Sequence, residues 1–126
     1  MQGARDPQAQ MMPIHASWQC DLSDDSLTWS DGVYDLFGLP RGSDVAREDI
    51  VAMYLPESRA ELARLRSEAI AVCGSFTFEA QIRRADGEPR WMRVTADVVA
   101  ENGVARLLYG TKTDVTAEMI GHDQAA

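Results

Sequence analysis

At 126 residues, 45% of them hydrophobic, the chain has the length and the apolar content of one domain with one ordinary core. A formal net charge of −8 argues against nucleic acid and anionic membrane surfaces as partners, because Lys and Arg supply the affinity for both. No run approaches the ~20 apolar residues of a membrane span, and residues 1–13 lack the apolar stretch of a secretory leader, so the expectation is a cytoplasmic protein without membrane insertion. Cys20 and Cys73 form no C-x-x-C and have no His nearby, which gives neither a zinc spacing nor a disulfide framework.

In chain order, residues 1–15 read as a flexible arm broken by Pro7 and Pro13, with a short cap helix over 7–12. Residues 18–22 alternate apolar and polar as a half-buried strand does. The turn formers at 23–26 and a returning strand at 27–29 complete a hairpin. Ser30 is a good N-cap for a short helix carrying Val33, Leu36 and Phe37, and Gly38 suits a left-handed C-cap. A second short helix is expected over 47–54. Pro56 opens the longest helix, whose apolar face is Leu62, Leu65, Ala69 and Val72 and whose end is Gly74; Arg59, Glu61, Arg64, Arg66 and Glu68 read as its solvated side.

After Gly74 the period changes from helical to two. Phe76, Phe78, Ala80 and Ile82 alternate with polar residues, and Asp86-Gly87 is a hairpin signal. Met92, Val94, Ala96 and Val98 mark one face of the next strand. Asn102-Gly103 is a second tight turn, and residues 104–113 form the last strand. Two strands, several helices and a three-stranded meander predict an α+β fold: a five-stranded antiparallel sheet with helices packed on one face.

The run R-R-A-D-G-E-P-R-W at 83–91 resembles the R-x-x-D-G-x-x-x-W hairpin of PAS domains, and G-T-K-T-D-V-T at 110–116 resembles the G-x-x-x-D-[IV]-T ending of their last strand, the PAC motif. Trp18, Asp21, Trp29 and the step Leu36-Phe37-Gly38 resemble the N-terminal half. The resemblance covers residues 16–118, leaving 119–126 as a polar tail or the stub of an output helix. It departs from the family at the entry to the long helix, where L-P-E-S-R at 55–59 stands in place of a His-Pro-x-Asp-Arg pattern. The resemblance implies a regulatory module of bacterial signal transduction, associated with a histidine kinase or diguanylate cyclase and without catalytic residues of its own. A small apolar ligand would lie between helices and sheet, and Phe37, Met53, Ile70, Phe78, Val94, Leu108 and Gly110 are the candidates to line its pocket. Asp114 and Thr116 would cap a following helix that relays the signal. Trp91, Tyr109 and Thr111 are candidates for an outward face that pairs in a homodimer or with a signalling partner.

Some chemistry has no residues to carry it. Haem-binding members use an axial His on the long helix, and the two histidines, His15 and His122, lie near the ends. LOV-type flavin domains carry a G-x-N-C-R-F-L-like segment, which is absent; Cys73 reads as a small buried apolar residue. No metal site, phosphate loop or paired acid and base is legible. Two rival readings remain: a scaffold whose cavity is filled by side chains, and a small α+β sandwich enzyme, which would need a buried acid or His with a perturbed pKa.

Overall fold

The computed structural model describes residues 16–125; the arm expected over 1–15, its helix at 7–12 and residue 126 lie outside the described residues. The period-two segments form β1 (Ser17–Asp21), β2 (Ser26–Trp29), β3 (Ser75–Arg83), β4 (Pro89–Glu101) and β5 (Val104–Asp114). The helical segments form α1 (Asp31–Phe37), α2 (Arg47–Val51), α3 (Pro56–Val72) and α4 (Thr116–Ala125). Every strand pair is antiparallel, and the sheet order is β2-β1-β5-β4-β3. Because β2 and β3 are the two edges, the chain between them must cross the sheet. It does so as α1–α3, which cover one face.

Strand alternation then divides the residues. Trp18, Cys20, Ala80, Ile82, Met92, Val94 and Leu108 point under the helices and are buried. Glu79, Arg93 and Tyr109 occupy the other face, where Arg93 pairs with Glu79 at 2.8 Å and with Glu118 at 3.1 Å. Since Glu118 belongs to α4, that helix starts against the outer face: three helices cover one side of the sheet, and the fourth begins on the opposite side. Of the two expectations for residues 119–126, a polar tail or the stub of a helix, the helix is the one observed, running to Ala125.

Several local expectations are corrected. Ser30 precedes α1 but makes no side-chain cap bond; its Oγ instead accepts from Ser17 N at 2.9 Å and ties the helix start to β1. Gly38 is the left-handed C-cap of α1, φ 73°. The left-handed cap of α3, however, is Cys73 (φ 53°) and not Gly74, and it leaves Val72 76% exposed instead of on the apolar face. Cys73 is only half-buried, and its Sγ donates to Gly103 O at 3.6 Å. Helix α2 ends at Val51, and Tyr54 instead bridges to Ile82 of β3. At Asp86-Gly87 only Gly87 has positive φ; Asp86 Oδ1 accepts from Glu88 N at 3.0 Å. Asn102 (φ 53°) and Gly103 (φ 78°) both do, as a two-residue hairpin turn requires.

The β4–β5 ladder is interrupted at Thr95 and Thr111, between the paired rungs Val94–Lys112 and Asp97–Tyr109. Here Thr111 N donates to Thr95 Oγ1 at 2.9 Å. That leaves the Thr95 carbonyl free to accept from the indole Nε1 of Trp18 at 3.2 Å. Trp18 is opposite Gly110, where a Cβ would overlap the Thr95 carbonyl oxygen. Gly110 is thus required by close backbone approach. Gly110→Ala should lower stability by about 3 kcal/mol, at the upper end of the cost of overpacking a core. Urea unfolding measures this, and a loss under about 1 kcal/mol would show that the strands separate freely at this point.

Candidate functional site

The helices do not seal completely onto the sheet. A cavity of about 50 Å³ lies between the strands and α2–α3, lined on its apolar side by Leu27, Ile50, Val94 and Leu108. Its polar lining is Cys20, Tyr54, Arg47, Arg66 and Lys112. Arg47 is positioned by the start of α2. Arg66 comes from the middle of α3, where its side chain is 19% exposed and reaches Asp25 of the β1–β2 turn at 3.0 Å. It therefore does not belong to the solvated side of the helix.

Lys112 dominates the site. On β5 it follows Leu108 and Gly110 at two-residue steps, so the strand period turns it inward, and it is the one buried charged residue among those described. Its Nζ sits within an aromatic box: 5.3 Å from the ring centre of Trp18, 5.8 Å from Trp29, 5.1 Å from Phe37 and 5.6 Å from Tyr54. Such distances let the negative ring faces compensate part of the lost hydration. Nζ also donates to Tyr54 Oη at 3.2 Å. Burial, reinforced by the Arg47 charge, pulls the lysine down to about 7. Burial pushes the Tyr54 phenol up, against an opposing pull from Arg47. It also pushes the Cys20 thiol up, against a hydrogen bond from Arg66, so Cys20 is held as the neutral thiol. Trp29, stacked on Phe37 at 5.0 Å, leaves its buried Nε1 without a hydrogen-bond partner among the described residues.

Of the residues expected to line a pocket, Val94 and Leu108 do so. Phe37 is a wall of the lysine box. Phe78 is core beside Phe76 at 6.0 Å, while Met53 and Ile70 pack at the core's margin. Gly110 serves the strand approach described above. Asp114 Oδ1 accepts from Thr116 N at 2.9 Å at the start of α4. Thr116 Oγ1 accepts from Trp91 N at 2.9 Å and Val115 N donates to Trp91 O at 2.9 Å, tying the helix start to β4. Trp91, Tyr109 and Thr111 share the outer face, but Tyr109 pairs with Asp97, six residues along β4 from Trp91, so the two positions are separated by about 20 Å of backbone along the strand. Among the described residues no group of three or more His, Cys, Asp and Glu could hold a metal ion.

Sequence reasoning did not single out Lys112, Tyr54, Arg47 or Arg66 as cavity residues; it read Tyr54 as an apolar residue of the second short helix and Arg66 as solvated. The available signal was the two-residue period itself, which places Lys112 on the same face as Leu108.

Lys112 has a pH signature. Between about 7 and 10.5 the unfolded chain holds a proton on this amine that the folded protein does not, so stability rises with pH across that window by up to about 1.4 kcal/mol per unit. Lys112→Met should flatten the rise and stabilise the protein at pH 6 by about 1–3 kcal/mol, because an unpaired buried charge is removed. Chemical denaturation at pH 6, 7.5 and 9 tests both statements. A variant less stable than wild type at pH 6 would mean that the aromatic box favours the cation outright.

A family model described as PAS fold matches residues 26–112, well over half of the chain. Among solved structures, the N-terminal domain of a diguanylate cyclase with PAS/PAC sensor from Marinobacter aquaeolei superposes with TM-score 0.75 at 20% identity, covering 83% of this chain and 98% of that one. A sensory box histidine kinase/response regulator from Burkholderia thailandensis gives TM-score 0.77 at 16% identity, covering 94% and 90%. The PAS domain of the fruit-fly ELK potassium channel gives 0.64 at 14%, covering 81% and 87%. No match is found among curated proteins. The sheet order, the crossing helices and the matched span agree, and the chain belongs to the PAS-fold family.

Proposed function

We propose that the chain is a sensory input module that takes a small ligand into the cavity and relays its presence through α4 to an output of the histidine kinase or diguanylate cyclase kind. One observation carries this: β5 holds Leu108 and Lys112 in the cavity wall, and two residues beyond Lys112 the same strand ends at Asp114, the cap of α4. A shift of β5 at the cavity therefore moves the helix start, which Thr116 fastens to Trp91. Sensor domains of a diguanylate cyclase and a histidine kinase among the structural neighbours support such an output. The mechanism is a population shift between two arrangements of β5 and α4. The proposal excludes His-ligated haem on α3, which contains no histidine, and covalent LOV-type flavin.

A second reading, an interaction module that pairs through the outer face, is favoured by the exposure of Tyr109 and Val99 there. An enzymatic reading has less support, since no Asp or Glu is buried among the described residues to serve as acid or base. No helix among them is long and apolar enough to cross a membrane.

Native mass spectrometry of the purified protein should show added mass that denaturation removes. Amide hydrogen exchange in α4 should differ at least about threefold between loaded and stripped protein. Thr116→Val, which removes the hydroxyl link to Trp91 and leaves the backbone bond from Val115 N to Trp91 O, should shrink that difference while leaving the added mass. Equal exchange in loaded and stripped wild type would refute the relay. An unmodified mass with a concentration-dependent dimer would favour the interaction module.

A further inference from the structure

Donors and acceptors around the cavity do not balance. Protonated Lys112 offers three N–H donors and finds one acceptor, Tyr54 Oη. The Nε1 of Trp29, a wall of the lysine box outside the cavity lining, is buried and has no acceptor among the described residues. Arg47 lines the cavity and makes no side-chain hydrogen bond or ion pair among the described residues. A second pocket of about 390 Å³ also reaches Lys112 and brings Asp35, Asp114, Arg84 and Arg90 beside it, with Asp35 paired to Arg41 and Asp114 to Arg90. The groups that line the first cavity with Lys112 are Arg47 from α2, Arg66 from α3, the Cys20 thiol from β1 and the Tyr54 phenol; Asp25, on an exposed turn, is engaged by Arg66. In a protein of net charge −8 this is a local excess of cations and of unused donors. The complementary ligand has acceptors, no donors and a negative charge.

Size and lining narrow the class. At roughly 10–15 Å³ per water-sized group, a cavity of about 50 Å³ holds about three to five heavy atoms. Half of its wall is aliphatic, which suits an alkyl end and disfavours a fully hydrated tetrahedral anion. We propose that the cavity takes a monocarboxylate of two or three carbons, its oxygens accepting from Lys112 and Arg47 and its alkyl end lying against Leu27, Val94 and Leu108. This rests on the cavity's being the ligand pocket of a sensor. The bound carboxylate would hold Lys112 protonated, so binding takes up a proton near neutral pH and weakens as pH rises.

The test is a titration of the purified chain with sodium propionate, propionamide and inorganic phosphate at pH 6.5 and 8.5, followed by the fluorescence of the tryptophans that box the lysine. Propionate should bind saturably, with propionamide and phosphate at least about tenfold weaker. Propionate itself should weaken by about tenfold or more between the two pH values. Lys112→Met should lose about tenfold or more. Arg47→Met, a change at the cavity's cationic side, should also lose affinity while keeping the thermal unfolding of the wild type, which separates binding from folding. If propionamide binds as well as propionate, the carboxylate is the wrong class although the pocket stands. If propionate does not bind, the inference is overturned, and native mass spectrometry then decides separately whether the cavity holds any other ligand.

Discussion

The side chain of Lys112 cannot leave the interior without breaking the pleat of β5. Its neighbours at two-residue steps, Leu108 and Gly110, belong to the inner face, and its backbone N–H donates to Ala16 O at 2.8 Å. An amine forced inward by strand geometry must find compensation there. The molecule supplies four aromatic rings, drawn from β1, β2, α1 and the segment between α2 and α3, and one phenolic oxygen. Of the first three helices, α1 contributes one of these rings, Phe37, and the segment between α2 and α3 contributes another, Tyr54.

The same requirement explains the interruption beside it. For Trp18 to lie against the lysine its indole N–H needs an acceptor, and the Thr95 carbonyl becomes available only because Thr111 N takes the Thr95 hydroxyl instead. Gly110 makes room for this exchange. The motif glycine of the last strand is thus tied through Trp18 to the polar group in the cavity.

Compensation at Lys112 is incomplete. The aromatic faces and Tyr54 stabilise a cation in part, while Arg47 acts against it, and the amine is left near its midpoint around neutral pH. A group in that condition responds to small changes in its surroundings. It also sits on the strand that begins α4, so what alters its charge or its contacts acts two residues from a helix cap. In the relay proposed above, β5 carries both the cavity lysine and the residue that caps α4.

Much of the architecture was legible from local pattern. Period-two alternation located β1, β3 and β4, and the turn signals before residues 27 and 104 located β2 and β5, within one or two residues at their ends, because these signals depend on neighbouring residues alone. Helix limits were less secure: tertiary contacts moved the end of α2 to Val51 and turned Cys73 left-handed in place of Gly74. Two cavity residues, Val94 and Leu108, followed from the apolar face. The polar half did not, because Arg47, Arg66, Tyr54 and Lys112 are separated by up to 65 positions and each alone looks like a surface residue or ordinary core. The sequence by itself determined which residues face inward on each strand, since that depends only on the alternation of the backbone. Only the tertiary structure decided that one of those inward positions is a lysine with no ion-pair partner among the described residues, boxed by rings and sharing a cavity with two arginines, because that arrangement exists only once the crossing helices have been laid over the sheet.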